Sequence, residues 1–266
     1  MQEFLTKHAV FTVDELDQYL SAKGTGKTNT RKSLLAYYRN KGRIVQVRRG
    51  LYLTVPLGED PATSPVDPYL IAAKLQPDAV LSYHTALEFH GKAYSTFNRL
   101  YYSTRRKSPP FKFRGSEFIS VQVPRNLQLK DKDLFGVAFR NRSGVDLKVT
   151  TLERTFVDVL NRPGLAGSLE EIWRSLESIE FFDLDQVVEY VHLLNNSTTA
   201  AKVGFFLDQH RDALIVDDFY LITLRQLCPN QPHYFTREKR KDSQLFKDWN
   251  LLVPAEIMNR TWRELQ

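Results

Sequence analysis

Residues 28–55 read "TNTRKSLLAYYRNKGRIVQVRRGLYLTV". The stretch changes period in its middle. Leu34, Leu35 and Tyr38 recur on one side of a helix, and Gly42 stands where that helix should end. From Ile44 onward the strand formers Ile44, Val45, Val47, Leu51, Tyr52, Leu53 and Val55 surround "RRG", where Gly50 can take the positive φ of a hairpin turn. At about 100° per residue, Asn29, Ser33, Ala36, Tyr37 and Asn40 lie opposite the apolar stripe, with Thr30 and Lys32 beside them. Arg31 falls nearer the inner side and is expected to pair with an acid or a phosphate.

Upstream, "TVDELDQYLSAK" (12–23) predicts another helix. Val13, Leu16, Tyr19 and Leu20 share a face, and Thr12 with Glu15 three residues later has the form of a capping box. The connecting "KGTGKT" (23–28) looks like the end of a nucleotide phosphate loop, Gly, four residues, Gly-Lys, Ser or Thr. The first glycine of that pattern falls on Ser21, and the stretch follows a helix where a phosphate loop follows a buried strand. It is therefore read as a helix–helix turn, with Lys27 and Thr28 leading into the next helix. Helix, turn, helix and a hairpin with basic residues at its tip form a winged helix-turn-helix, whose second core helix enters the major groove of DNA. Duplex DNA presents a dense row of phosphates, and Lys27, Lys32, Arg43, Arg48 and Arg49 are the expected cations. Thr28 or Thr30 can cap this helix, Thr28 is among the expected DNA-facing residues, and Asn29, Thr30, Ser33 and Tyr37 are the candidates to reach base edges.

The charge is uneven along the 266 residues. Residues 1–58 hold ten Lys/Arg and four Asp/Glu, whereas residues 161–220 hold four and eleven. A basic N-terminal part and an acidic helical part fit two partners of opposite charge, or in the acidic part an ordinary solvated face. No apolar run is long enough to span a membrane, and "MQEFLTKH" is no signal peptide, so a cytoplasmic protein without a membrane partner is expected. Cys228 is the single cysteine, which excludes an internal disulfide and a cysteine-cluster zinc site.

"PLGEDPATSPVDP" (56–68) reads as a proline-rich linker, giving an N-terminal domain over 1–57, a linker over 58–68 and a C-terminal domain over 69–266. In the latter, "YLIAAKLQPDAVLSYHTALEFHGKA" (69–93) reads as helix, short strand at 79–82 and helix ended by Gly91. "RLYYST", "FISVQVP" and "GVAFRN" read as strands, and "VTTLERTFVDVLNRP" as a helix with Leu152, Phe156, Val159 and Leu160 inward. Three helices follow, two opened by capping boxes, Ser168 with Glu171 and Asp183 with Gln186, before a last extended piece in "KDWNLLVP". The fold class is α+β: the winged helix-turn-helix, then a larger mixed domain with a small sheet and several helices.

Chemical motifs are weak. His84 and Glu88 are four apart beside His90, but without the His-Glu-x-x-His order or a third distant ligand, so a hydrogen-bonded helix end is expected and no metal. Asp217-Asp218 and Asp208/His210/Asp212 are acidic pairs near helix ends, the alternative basis for a nuclease. "RRKSPPFKFRG" (105–115) carries five basic residues in eleven, either a second DNA-backbone contact or a solvated loop. No catalytic motif and no cofactor-binding fingerprint is present, so the protein is not expected to be an enzyme. A winged helix can also grip protein, which leaves an adaptor as a further alternative.

Four pieces, "GRIVQVRRGLYLTVP", "LSYHTALEFHG", "VTTLERTFVDVLNRP" and "WNLLVP", resemble in order and spacing the AbiEi-type antitoxins, the transcriptional-regulator half of type IV abortive-infection toxin–antitoxin pairs. The resemblance spans nearly the whole chain. It implies a cytoplasmic repressor that binds its own promoter DNA through the winged helix and neutralises a nucleotidyltransferase-like toxin, with the C-terminal domain involved. A toxin that handles nucleotides should present a basic groove, so Glu170, Glu171, Glu177 and Glu180, placed around the outer face of the helix in "SLEEIWRSLESI", are the expected toxin-facing charges.

Overall fold

The computed structural model describes residues 1–24, 28–236 and 242–260. The elements in chain order are α1 (Gln2–Lys7), β1 (Val10–Thr12), α2 (Val13–Ala22), α3 (Thr28–Asn40), β2 (Ile44–Arg48), β3 (Leu51–Thr54), α4 (Pro68–Lys74), β4 (Val80–Leu81), α5 (His84–Phe89), β5 (Arg99–Thr104), β6 (Phe111–Phe113), β7 (Ser116–Gln122) and α6 (Arg125–Leu129). They continue with β8 (Val137–Arg142), β9 (Val145–Thr150), α7 (Leu152–Asn161), α8 (Leu169–Glu177), α9 (Leu184–Leu194), α10 (Ser197–Gln209), α11 (Asp218–Gln226), β10 (His233–Tyr234), β11 (Ser243–Phe246), β12 (Leu251–Pro254) and α12 (Ala255–Asn259). The protein is mixed α+β. Among the described residues its strands form three sheets, in the orders β1-β3-β2, β6-β7-β5-β4-β9-β8 and β10-β12-β11. No described helix is long and apolar enough to cross a membrane.

Two compact units share the chain. One comprises residues 1–81, 98–120 and 139–148, the other 82–97, 121–138 and 149–266. Compactness thus divides the chain elsewhere than at 58–68. That proline-rich segment is tied within the first unit: Arg114 donates to the carbonyls of Pro61 and Ser64, and Ser64 itself is buried and bonded to Glu59. Its end, Asp67, caps α4 by accepting from the Tyr69 amide at 3.0 Å.

The first unit starts with elements the sequence pattern did not announce. α1 and β1 are short, and β1 completes a sheet by pairing antiparallel with β3, Phe11 opposite Tyr52. Phe4, Leu5, Phe11, Leu16, Leu20 and Ile44 form its buried core, against which Leu34, Leu35 and Tyr38 of α3 pack half-buried. The capping box is present in both directions: the Glu15 amide donates to Thr12 Oγ1 at 3.2 Å, and the Thr12 amide to Glu15 Oε2 at 2.7 Å. The β2–β3 hairpin turns at Gly50, whose φ is +81°, a value that strains any residue with a Cβ. β2 carries a bulge between Gln46 and Arg48, which places an extra residue, Val47, in the core.

The second unit is built around α7, α8, α9 and α10, with Trp173, Phe156, Phe205, Phe206 and Trp249 among its fully buried side chains. Arg154 of α7 is buried as well. It donates to the carbonyls of Asp133 and Phe135, both at 2.7 Å, and lies 3.5 Å from Asp158, which accepts from the Tyr190 hydroxyl at 2.7 Å. Each polar group there has a partner, as a buried charge requires.

Trp249 lies directly on the backbone of α10 at Gly204. A Cβ at that position would come within 2.0 Å of the indole, inside any van der Waals contact. Trp249 cannot retreat without loss, because its Nε1 donates to Asp208 at 3.0 Å. Gly204→Ala is therefore expected to destabilise the protein by about 3 kcal/mol despite alanine's better helix propensity. A urea denaturation midpoint equal to or above that of the wild type would show that the indole can move aside.

Candidate nucleic-acid interface

α3 is an amphipathic helix in which none of thirteen residues is fully buried. Its inner stripe is Leu34, Leu35 and Tyr38, as the spacing predicts. Arg31 at the edge of that stripe pairs with Asp17 of α2, an acid and not a phosphate. The opposite side, Thr28, Asn29, Lys32, Ser33, Ala36, Tyr37 and Asn40, is exposed, while Thr30 is half-buried. Tyr37 is 55% exposed and stands edge-on to Tyr38. This face offers amide, hydroxyl and phenol groups over one long helix side, flanked by cations.

The cations sort into two groups. Lys32 and Arg49 are exposed, the latter at the hairpin turn. Arg43 and Arg48 are half-buried and directed inward: Arg43 Nε donates to the Val55 carbonyl at 3.2 Å, and Arg48 to the Leu75 carbonyl. A guanidinium spent on a buried carbonyl is a structural donor, so these two arginines differ in kind from Arg49. Lys27 and Gly26 lie outside the described residues. Two exposed cations that the sequence reading did not single out, Arg39 and Lys41, extend the positive edge of α3, with the Lys41 ammonium 5.9 Å from the Tyr37 ring. Their signal was available: in the same helical projection Arg39 falls beside Lys32.

The "GKT" stretch follows α2 and leads into α3. Of the acidic pairs, Asp208, Asp217 and Asp218 are engaged, and Asp212 is exposed. Asp217 caps α11 through the Phe219 amide at 2.8 Å, Asp218 pairs with Arg211 at 2.9 Å, and Asp208 holds Trp249. His210 Nδ1 donates to the Phe206 carbonyl at 2.8 Å, and its Nε2 lies 3.1 Å from the Glu177 carboxylate.

The expected acidic face of α8 is corrected at its centre. Glu171 points inward and is buried. Its carboxylate accepts from Ser95 N at 3.0 Å, Ser95 Oγ at 2.5 Å and Ser175 Oγ at 3.3 Å, and lies 3.1 Å from His84 Nε2. Ser168 caps the helix through the Glu171 amide, but the Glu171 side chain does not return to close the box. Glu177 accepts from Arg260 at 3.3 Å and meets His210 at 3.1 Å, and Glu170 pairs with Arg174 at 2.9 Å. Glu180 is exposed. The projection failed at Glu171 because the loop at Ser95 supplies donors that no helical pattern contains.

His84 closes this arrangement. It is fully buried, stacks on Phe97 with centroids 3.7 Å apart, and its Nδ1 lies 3.3 Å from Glu88 without the angle of a hydrogen bond. Glu88 in turn accepts from the Phe97 amide at 2.5 Å. No set of three metal-ligating side chains suited to an ion occurs among the described residues. Both carboxylates are occupied by N–H or O–H donors, which makes the cluster a buried polar clamp.

No protein-family profile matches the chain, and no curated protein matches it. Among solved structures, it is similar to the crystal structure of the RV2827C protein from Mycobacterium tuberculosis, at 16% identity and a TM-score of 0.58, over 96% of this chain and 90% of that one. This likeness is one of fold.

Burial alone would raise the Glu171 carboxyl, but the Ser95 and His84 bonds outweigh it and hold the group below the ordinary glutamate value of 4.5. A depressed folded-state value contributes stability above the unfolded value and loses it as pH falls through the folded one. Glu171→Ala should cost about 3 kcal/mol at pH 7, whereas Glu180→Lys should stay within about 0.5 kcal/mol. The gap between wild type and Glu171→Gln should narrow below pH 4.5. Urea melts giving equal costs for the two positions would place Glu171 at the surface.

Proposed function

We propose that residues 1–57 are a winged-helix DNA-binding module and that the protein is a transcriptional repressor of its own operon, paired as antitoxin with a nucleotidyltransferase-like toxin. The carrying observation is the uncovered polar face of α3, with Asn29, Ser33 and Tyr37 exposed and Lys32, Arg39 and Lys41 at its margins. Helix α2, helix α3 and the β2–β3 hairpin follow one another in the order such a module needs. Arg49 at the hairpin turn supplies the wing contact. The antitoxin half of the reading is supported by the resemblance of the four sequence pieces, and a cytoplasmic location follows from a DNA partner.

For the toxin-facing surface, α11 is favoured over the acids of α8. Phe219 and Ile222, three apart on α11, are 64% and 52% exposed, and Ile215, two residues before the helix cap, is 87% exposed, with the cap Asp217 and the first helical residue Asp218 beside them. Apolar side chains grouped in this way mark a protein contact more often than isolated ones do, and the adjoining carboxylates suit a partner with a basic groove.

DNA binding is tested by fluorescence anisotropy on the promoter fragment between 50 and 200 mM salt, conditions in which counterion release dominates. With about four phosphate contacts, log affinity should fall by roughly 3–4 units per log unit of salt. Asn29→Ala and Ser33→Ala should each reduce discrimination against random DNA by about 1–3 kcal/mol, and Arg49→Ala should weaken both DNAs alike. Unchanged binding in all three variants would remove α3 and the hairpin from the interface.

The partner surface is tested by co-expression with the toxin of the same operon. The Phe219→Asp/Ile222→Asp variant should lose growth rescue while keeping its circular dichroism spectrum and promoter binding. Full rescue would discard the α11 surface and leave the repressor reading standing.

A further inference from the structure

The second unit holds a cavity of about 850 Å³ that the DNA reading does not use. Its wall includes Ser168 and Leu169 at the start of α8, Asn196, Thr198 and Thr199 at the start of α10, and Lys202 one turn further along α10. That volume accommodates a small-molecule ligand.

Lys202 is the unusual member. It is 6% exposed, and among the described residues it has no carboxylate partner within ion-pair distance and gives one hydrogen bond, 2.9 Å to the Leu160 carbonyl at the end of α7. The Phe235 ring lies 5.1 Å from its ammonium. An ammonium has three donors, so two remain for whatever fills the cavity. Capping one carbonyl needs a single neutral donor, and a buried charge is a costly way to provide it. Burial alone pushes the Lys202 amine down to about 8. A second donor, the Thr236 hydroxyl, lines the same cavity with its oxygen buried and without a hydrogen-bond partner among the described residues.

The helix starts add to this field. α8 and α10 have nine and thirteen residues, and both present their positive ends to the cavity wall. Their caps take one amide each, Ser168 that of Glu171 and Asn196 that of Thr199. Amides at the first turn that the caps do not take remain as donors. Among the described residues, the other ionisable groups facing the cavity are His233 and Tyr234 of β10 and Glu256 of α12.

We propose that this cavity is a binding site for a small oxyanion ligand, a phosphate or carboxylate compound, whose charged group sits on the Lys202 ammonium between the starts of α8 and α10. The anion supplies the counter-charge that Lys202 lacks. Binding therefore raises the affinity of the amine for its proton, and the site takes up protons from solvent when it fills near pH 8.

The test is isothermal titration calorimetry on the full chain, with inorganic phosphate, pyrophosphate and malonate as separate probes. Saturable binding of at least one is expected, with proton uptake near pH 8 seen as a dependence of the heat on buffer ionisation enthalpy. Which probe binds distinguishes phosphate from carboxylate chemistry. Lys202→Met should weaken that binding at least tenfold, and Thr236→Val should weaken it by a smaller factor. Absence of binding by all three probes at 10 mM, or equal binding by a folded Lys202→Met variant, would overturn the proposal. Should Lys202→Met not fold, the wild-type protein decides: amine labelling of Lys202 at pH 8, read by mass spectrometry, is expected to slow when the bound probe is present. Unslowed labelling would overturn the proposal equally. Promoter binding enters none of these readouts, so their failure and that of the DNA reading are separable.

Discussion

The first unit closes on the Glu15 carboxylate. It takes the Thr12 amide and hydroxyl at the start of α2 and the Lys74 ammonium from α4. Burial by itself would raise this carboxyl, but Lys74 and the Thr12 amide outweigh that and keep it ionised below the ordinary glutamate value. One charged group thus fixes where α2 begins and which helix lies beside it. α2 then holds α3 through Asp17 and Arg31 and through the half-buried Leu34, Leu35 and Tyr38. A helix that buries so little has few apolar contacts to set its orientation. The polar pairs supply that orientation, and they do so on the inner side only, which leaves the outer face free for a ligand.

The same economy separates the arginines of the hairpin. Arg43 and Arg48 reach carbonyls that would otherwise be buried without a donor, and such groups cost about 1–3 kcal/mol each when unpaired. Arg49, the next residue, is exposed because it stands in the hairpin turn beyond the end of β2. Two adjacent residues of one type therefore play different parts, one holding the hairpin and one remaining available to a phosphate.

In the second unit, buried charge again sets the local arrangement. Glu171 with His84, and Arg154 with Asp158 and Tyr190, are surrounded by donors and acceptors that tie loops to helices. Both groups are saturated or nearly so. Lys202 differs, because its third of a shell is filled by one carbonyl and the rest opens on a cavity. Contrast within one core, between charges that are fully met and a charge that is not, is what separates structural polarity from a candidate ligand site. The exposed apolar side chains Ile215, Phe219 and Ile222 are the apolar counterpart, groups whose burial is not completed by the described residues.

Much of this was legible in the sequence where the determinants are local. The capping box at Thr12 and Glu15, the inner stripe of α3 and the positive φ of Gly50 depend on residues within a few positions, and so does the run "RLYYST" that forms β5. The periodicity that predicted α3's free face is likewise local, a property of the helix itself. What escaped depends on partners distant in the chain. β1 is three residues long and exists by pairing with β3 about forty residues later, and α1 has no amphipathic length to announce it. Glu171 looked like a surface acid until Ser95, 76 residues away, brought it two donors. The proline-rich 56–68 segment has linker composition, yet Arg114 anchors it. Composition and period fix which side chains a helix can present. Whether a given charge faces water or a buried donor is settled by desolvation and pairing, and those depend on which distant backbone the fold brings alongside.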